Sequence, residues 1–542
     1  MQTVPAQIES IFRLRAVLLA LGFLTLGACG GGGSSGPAAV APVAPAPAPA
    51  APPPAGFDNG TFASSRFLEA MCASPRVGID AETGRPWPDV QGTFVDENDW
   101  LRSWSNELYL WFDEIEDVDP ASLATPAYFD RMRTFATTPT GAPKDRFHFT
   151  ESTAVFRAFA QSGVAAGYGA ELALLATSPP REIRVAYTLT GSPAELAALE
   201  RGTEIVTVDG VDARLATSAA EIDVLNAALF PAAAGETHVF GVLDRGASVV
   251  REVSMTAVEL TTPPVQAIAR ADTASGAVGY VAFFEHIATA ENALIDVIEN
   301  FRADPVTDLV VDLRYNGGGL LSIAAELGFM VAGPAAASGQ VFEALEFNRK
   351  HQQFNPVTGA PLSPELFPST TLGFLRPPGE PLPSLDLERV FVLTGPGTCS
   401  ASESFMNSLR GIGIEVVQIG DRTCGKPYGF YPTDNCGTTY FSIQFRGVNA
   451  QGWGDYGDGF VPGADAGPAG VMPGCVIEDD FTADLGDPAE ALFAAALSWR
   501  SDGACPATAL ATEAAGRRLV RPVDPALELR PPVYRTGTWK MP

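Results

Sequence analysis

The stretch from residue 97, "ENDWLRSWSNELYLWFDEIEDV", sets Trp100, Trp104, Leu108, Trp111 and Ile115 three and four positions apart. That spacing predicts one apolar face of an amphipathic helix, and Asp119-Pro120 predicts its end. A second short helix is expected to start in "TPAYFDRMRTF", so residues 57–150 read as an N-terminal helical domain. From 151 to 262 the period changes. Short apolar runs punctuated by Gly and Pro, such as "GYGAELALL", "IRVAYTL", "GTEIVTVDGVDA" and "THVFGVLDRG", predict the strands of a small β-rich domain. Residues 263–506 alternate strand and helix: "AVGYVAFFEHI", "TAENALIDVIENFR", "TDLVVDLRYN", "LLSIAAELGFMVAG", "RVFVLTG", "SESFMNSLRGI", "IEVVQIG". This alternation predicts an α/β core with a buried parallel or mixed sheet. Its Gly- and Ser-rich turns lie at the carboxyl ends of strands, where such sheets place ligands.

The ends of the chain add a compartment. Arg13 and Arg15 precede an apolar run, Ala16 to Leu26, that is too short for a comfortable membrane span and reads as a signal peptide. Leu26-Gly27-Ala28-Cys29 resembles the lipobox of bacterial lipoproteins, so residues 1–29 are expected to be processed and Cys29 lipidated. The expected location is the bacterial cell envelope, anchored by lipid on a periplasmic or outer-membrane face. Residues 30–56, almost wholly Gly, Ala, Pro, Ser and Val, predict a linker, and residues 507–542 a C-terminal tail. A formal charge of -28 with no Lys/Arg cluster in the mature part argues against nucleic acid as partner. With Cys29 lipidated, six of the seven cysteines remain, and an exported chain without CxxC or HxxxH favours disulfides over zinc. Their connectivity is open: Cys424 with Cys436 and Cys475 with Cys505 would close short loops and leave Cys72 for Cys399.

Three turns of the core could carry chemistry. In "VVDLRYNGGGLLS" a strand runs into Asn316-Gly317-Gly318-Gly319, whose backbone N–H groups could stabilise an oxyanion. In "GPGTCSASESF" Ser400 opens a helix, where Ser400 and Glu403 also satisfy a capping box, so cap and nucleophile compete for one hydroxyl. The Ala401 N–H at the positive end of that helix would favour a negative oxygen nearby. In "IGDRTCGKPYGFYP" Lys426 sits among Cys424, Tyr428, Phe430 and Tyr431. With only four histidines in the chain, a lysine desolvated by about 3 to 5 pKa units is the alternative general base.

Taken in order, these turns resemble the C-terminal-processing, or tail-specific, serine peptidases, in which a "DLRxNxGG" turn, an "SASE" turn and a "GK" turn follow one another. The resemblance implies Ser400 as nucleophile, Lys426 as general base, and Gly317, Gly318 and Ala401 as the oxyanion hole. It implies a crotonase/ClpP-like α/β core and no metal or organic cofactor. Many members orient the lysine with a glutamine four residues on. Phe430 stands there instead, leaving backbone groups, Glu403 or Tyr428 for that task. "GSPAELAALERGTEIVTVDGVDA" resembles a PDZ domain, which implies that Gly167, Tyr168, Gly169 and Ala170 receive the carboxylate of a protein or peptide tail. The expected function is endoproteolysis of cell-envelope proteins at exposed C-terminal tails. The alternatives are a catalytically silent member that binds peptides or apolar ligands, and, more remotely, an acyl-coenzyme A enzyme.

Overall fold

A 15-residue helix, α1 (Phe94–Leu108), is the first α-helix among the described residues, with Thr93 and Asp96 forming its capping box. The computed structural model describes residues 57–176, 179–463, 470–506 and 538–539. The expected signal peptide with Cys29, the linker, and all of the tail except 538–539 lie outside the described residues. Trp100 and Trp104 stack with centroids 5.3 Å apart and bury against Phe129 and Tyr440. Such a pair adds about 1 kcal/mol beyond the area it buries.

The helix stops earlier than its apolar stripe suggests. Tyr109 turns extended, with ψ 135°, so Trp111 and Ile115 fall outside the helix. The cause is tertiary. Leu110 N–H donates to Ile443 O at 2.8 Å and the Tyr109 hydroxyl to Asp145 at 2.7 Å, which draws the chain onto the core. The second short helix is present at Thr125–Phe129. The remainder of residues 57–150 is mainly turns and short extended pieces, less helical than the pattern suggests.

Helix α2 (Thr153–Ser162) begins the stretch expected to be β-rich, yet Phe156, Phe159 and Ala160 pack into the core's main cluster. The sheet that follows contains β1 (Ala170–Ala176), β2 (Glu182–Thr188), β3 (Glu204–Val208), β4 (Thr237–Leu243) and β5 (Arg251–Thr256). They run antiparallel in the order β5-β4-β3-β2-β1, which leaves β1 on an edge. Ile183, Val185, Ile205, Phe240 and Val242 bury beneath α3 (Ala219–Leu229).

The core sheet has seven strands. These are β6 (Val265–Thr273), β7 (Gly276–Phe283), β8 (Asp308–Asp312), β9 (Arg389–Thr394), β10 (Glu415–Gly420), β11 (Val461–Gly463) and β12 (Val471–Val476), in the order β6-β7-β8-β9-β10-β12-β11. Only the β6–β7 pair is antiparallel. Strand alternation divides the apolar residues between two faces. Leu309, Val311, Val390 and Val392 meet α4 (Ala290–Ala303), α5 (Leu321–Ala337) and α6 (Ala401–Gly411), while Val310, Phe391 and Leu393 meet α7 (Ala491–Asp502). Near-continuous apolar strands are what a sheet covered on both sides requires. The turns after β8, β9 and β10 therefore emerge side by side at one edge of the core.

The three disulfides are Cys72–Cys436, Cys399–Cys424 and Cys475–Cys505. Only the last agrees with the short-loop reading. Cys436 is taken by the N-terminal segment, which lies along the Thr433–Asn435 strand and donates Ala70 N–H to Asn435 Oδ1 at 2.9 Å. Cys424 is thereby free to meet Cys399 on the neighbouring turn.

Candidate active site

Ser400 stands between β9 and α6 with φ 64° and ψ -115°, a left-handed conformation uncommon for a residue with a side chain. Holding it costs on the order of 1–3 kcal/mol, which the surroundings must supply. Glu403 supplies part: its Oε2 accepts Ser400 N–H at 2.9 Å, the carboxylate half of the capping box. Cys399 N–H donates to Asn316 O at 3.1 Å and thus hangs the serine turn on the glycine turn.

The glycine turn is locked in its own way. Asn316 Oδ1 accepts Gly318 N–H and faces His286 Nδ1, each at 2.9 Å, while its Nδ2 donates to Phe283 O at 2.9 Å. Burial drops the His286 pKa to about 4, so the ring is neutral and its Nδ1–H donates. Gly318 has φ 107°, and a Cβ there would lie 2.8 Å from Ser400 Cβ, so only glycine allows this approach. Gly318 N–H is thus taken by Asn316 Oδ1 in this structure. The Ala401 N–H, first of α6, has no acceptor within the helix. Behind the turn, buried Arg314 pairs with Asp312, Asp479 and Glu490, fixing the end of β8.

Lys426 follows Gly425, whose φ of 85° and contact with Gly457 exclude a side chain. Its own side chain is wholly buried, with Nζ 4.2 Å from the Phe430 ring and 4.8 Å from Phe147. Burial lowers its pKa to about 7, and the charges of Asp145 and Glu403 keep it from falling further. Phe430 thus stands as an aromatic wall to the ammonium. Tyr428 turns its ring edge-on to Trp111 at 4.9 Å.

Glu403 binds the two turns together. Oε1 accepts from the Thr423 hydroxyl at 2.5 Å and Gly425 N–H at 2.8 Å, and Oε2 from Lys426 N–H at 2.8 Å as well as from Ser400 N–H. Removal from water raises its pKa, and these donors oppose the rise. Cys424 N–H donates to Thr398 O at 2.9 Å, and the Cys399–Cys424 bond holds the two α-carbons 5.1 Å apart. Glu403 therefore ties the backbone of Lys426 to that of Ser400. Cys399, Glu403 and Cys424 are also grouped like metal ligands, but the two sulfurs are bonded to each other and the carboxylate is filled by donors.

Gly167, Tyr168, Gly169 and Ala170 lie together at the start of edge strand β1, along a cavity of about 1190 Å³ that reaches Tyr315 and Gly317. Ser400 and Lys426 do not line that cavity, and both are fully covered. Sequence reasoning missed Asp145, Phe147, His286 and Arg201. Arg201 reaches out of the antiparallel sheet module to Tyr315 Oη at 2.8 Å and Asp479 at 2.8 Å.

Residues 277–430, which include the glycine turn, Ser400 and Lys426, match the model of peptidase family S41, a similarity that supports a serine-type peptidase. A carboxyl-terminal-processing protease of Picosynechococcus sp. is 26% identical over 251 residues, 45% of this chain and 50% of that protein. The match thus spans about half the length of that curated relative. The crystal structure of a candidate S41 protease of Bacteroides fragilis NCTC 9343 superposes with a TM-score of 0.54 at 22% identity, covering 77% of this chain and 98% of that one, and shares its fold. A photosystem II D1 C-terminal processing protease gives a TM-score of 0.40 at 17% identity, covering 68% of this chain and 90% of that one.

Proposed function

We propose that the chain is a serine endopeptidase that acts on cell-envelope proteins at their C-terminal tails, with Ser400 as nucleophile and Lys426 as general base. One observation carries the reading. A wholly buried lysine with a pKa of about 7 lies on a turn sewn to the turn of Ser400 by Glu403 and by the Cys399–Cys424 bond. At neutral pH a substantial share of such amines is unprotonated and able to take a hydroxyl proton.

Ser400 Oγ attacks the peptide carbonyl carbon while its proton passes to Lys426 Nζ. The resulting ammonium returns a proton to the leaving amine, and water then hydrolyses the acyl-enzyme with Lys426 again accepting a proton. The developing oxyanion is met by Ala401 N–H at the positive end of α6 and by Gly317 N–H. Gly318 contributes once its N–H leaves Asn316 Oδ1. Since both reacting side chains are covered here, the site opens before substrate reaches Oγ.

The 167–170 turn is the PDZ-like carboxylate receptor in this reading. Edge strand β1 takes the tail as an added strand, and the cavity guides the chain toward Gly317. Arg13, Arg15 and the Leu-Gly-Ala-Cys29 pattern support export and lipid anchoring. The test compares two peptides with the same apolar end, one a free carboxylate and one an amide. The purified protein is expected to cleave the free acid at least about tenfold faster, the value of one charge-assisted contact. Equal rates contradict tail selection, and cleavage that persists in Ser400→Ala contradicts the peptidase reading.

A further inference from the structure

Lys426 is reached by a segment far away in the chain. Residues 145–148 come from the N-terminal domain and lie against the lysine turn: Arg146 donates a hydrogen bond to Cys424 O, and the Phe147 ring faces Lys426 Nζ at 4.8 Å. Asp145, 2% exposed, is held from two sides, by the Tyr109 hydroxyl at 2.7 Å and by Phe147 N–H at 3.0 Å. Tyr109 is itself buried and accepts Thr134 N–H at 3.1 Å, so its hydroxyl has little freedom to turn away.

We propose that Asp145 is a positioning residue of the active centre, a counter-charge delivered by the N-terminal domain that fixes the ammonium of Lys426 between the Phe147 and Phe430 rings. The inference rests on the Ser/Lys reading for its catalytic meaning, but its geometry stands without it. It gives the N-terminal domain a part in the chemistry: without the 145–148 segment, Lys426 loses a wall and a charge together.

The charged and titratable groups around Lys426 can be weighed one by one. Glu403, on α6, is the other carboxylate near it, with both oxygens engaged by four donors from the two turns. His148 lies with Nδ1 3.7 Å from Asp145, but burial lowers its pKa, so it does not neutralise the carboxylate at neutral pH. Tyr109 and Tyr428 have pKa values raised by burial and remain neutral phenols. Arg146 directs its guanidinium to a carbonyl on the outer side of the turn. Arg133 Nη1 donates to the Asp145 carbonyl at 3.4 Å, and the carboxylates of Asp145 and Glu403 are the charges that oppose the loss of the proton from Lys426. An anion near a lysine favours the ammonium, so its removal must lower the lysine pKa.

The test reads Lys426 directly, by NMR titration of 13C-labelled lysine side chains, and in parallel through the pH dependence of hydrolysis. In Asp145→Asn the Lys426 pKa, and with it the acid limb of the activity profile, is expected to move down from about 7 by about one unit. Asp145→Glu is expected to restore most of the shift. Tyr109→Phe, which takes a donor from the carboxylate while leaving its charge, is expected to move Lys426 upward and serves if Asp145→Asn does not fold. An unchanged Lys426 titration in Asp145→Asn, or in Tyr109→Phe if that alone is folded, overturns the proposal. Because NMR needs no turnover, this failure is separable from that of the peptidase reading, which would show as hydrolysis indifferent to Ser400→Ala.

Discussion

Ser400→Ala is expected to reduce peptide hydrolysis by about four to six orders of magnitude with no loss of folded protein, because removal of a nucleophile leaves only binding and oxyanion stabilisation. Lys426→Met should be as inactive. Its effect on stability separates a general base from a structural lysine. A folded-state pKa of about 7 against an ordinary 10.5 means that the unfolded chain binds more protons than the folded one between those values. Folded stability therefore rises with pH across that window, and the penalty for burying Lys426 is complete below pH 7 and gone above 10.5. Lys426→Met removes the penalty, so at pH 7 the variant should be more stable by several kcal/mol, with an upper bound of about 5 kcal/mol set by about 1.4 kcal/mol for each pKa unit. Denaturant melts at pH 6, 8 and 10 check this. The gain should shrink as pH rises, and a variant less stable than wild type at every pH would show that the lysine is buried for structural reasons.

Glu403 is expected to be the most sensitive position that does not itself react. Its carboxylate takes four donors from two turns, and Glu403→Ala leaves Ser400 N–H, Thr423 Oγ1–H, Gly425 N–H and Lys426 N–H unmatched in a dry site. At about 1–3 kcal/mol for each buried unsatisfied group, that loss approaches the whole stability of a typical domain, so little folded protein is expected. Glu403→Gln retains one acceptor oxygen but turns an NH₂ toward N–H donors. It should fold with a loss of about 2–4 kcal/mol and at least about a hundredfold fall in hydrolysis, as Ser400 and Lys426 drift apart. Near-wild-type stability in Glu403→Ala, read by thermal melts, would remove Glu403 as the link between the turns.

The parts of this site that could be read from the chain are local ones. A strand running into Asn316-Gly317-Gly318-Gly319, and another into Cys399-Ser400, declare themselves through an apolar run, a break and a helix start within about a dozen residues. Lys426 is visible by its apolar neighbours. The remainder is tertiary. Asp145 is remote in sequence, and nothing around it distinguishes a counter-charge from an ordinary surface carboxylate. Trp111 continued the helical stripe of Trp100 and Trp104, but contacts at Tyr109 and Leu110 overrode the local preference and bent the chain toward the lysine turn. The cysteines misled for a related reason. Cys424 could close a short loop with either Cys436 or Cys399, and the choice follows which turns the sheet sets side by side: β9 and β10 set Cys399 against Cys424. Gly318 was legible as a required glycine, whereas the direction of its N–H was not, since that depends on Asn316 and His286.

The most direct measurement is the rate at which a serine-directed fluorophosphonate modifies the protein from pH 5 to 9, with the adduct located by peptide mass spectrometry. A single adduct on Ser400 is expected, its rate climbing through about pH 7 and vanishing in Lys426→Met. Modification at another residue, or of Ser400 at a rate indifferent to pH and to Lys426, would contradict the account.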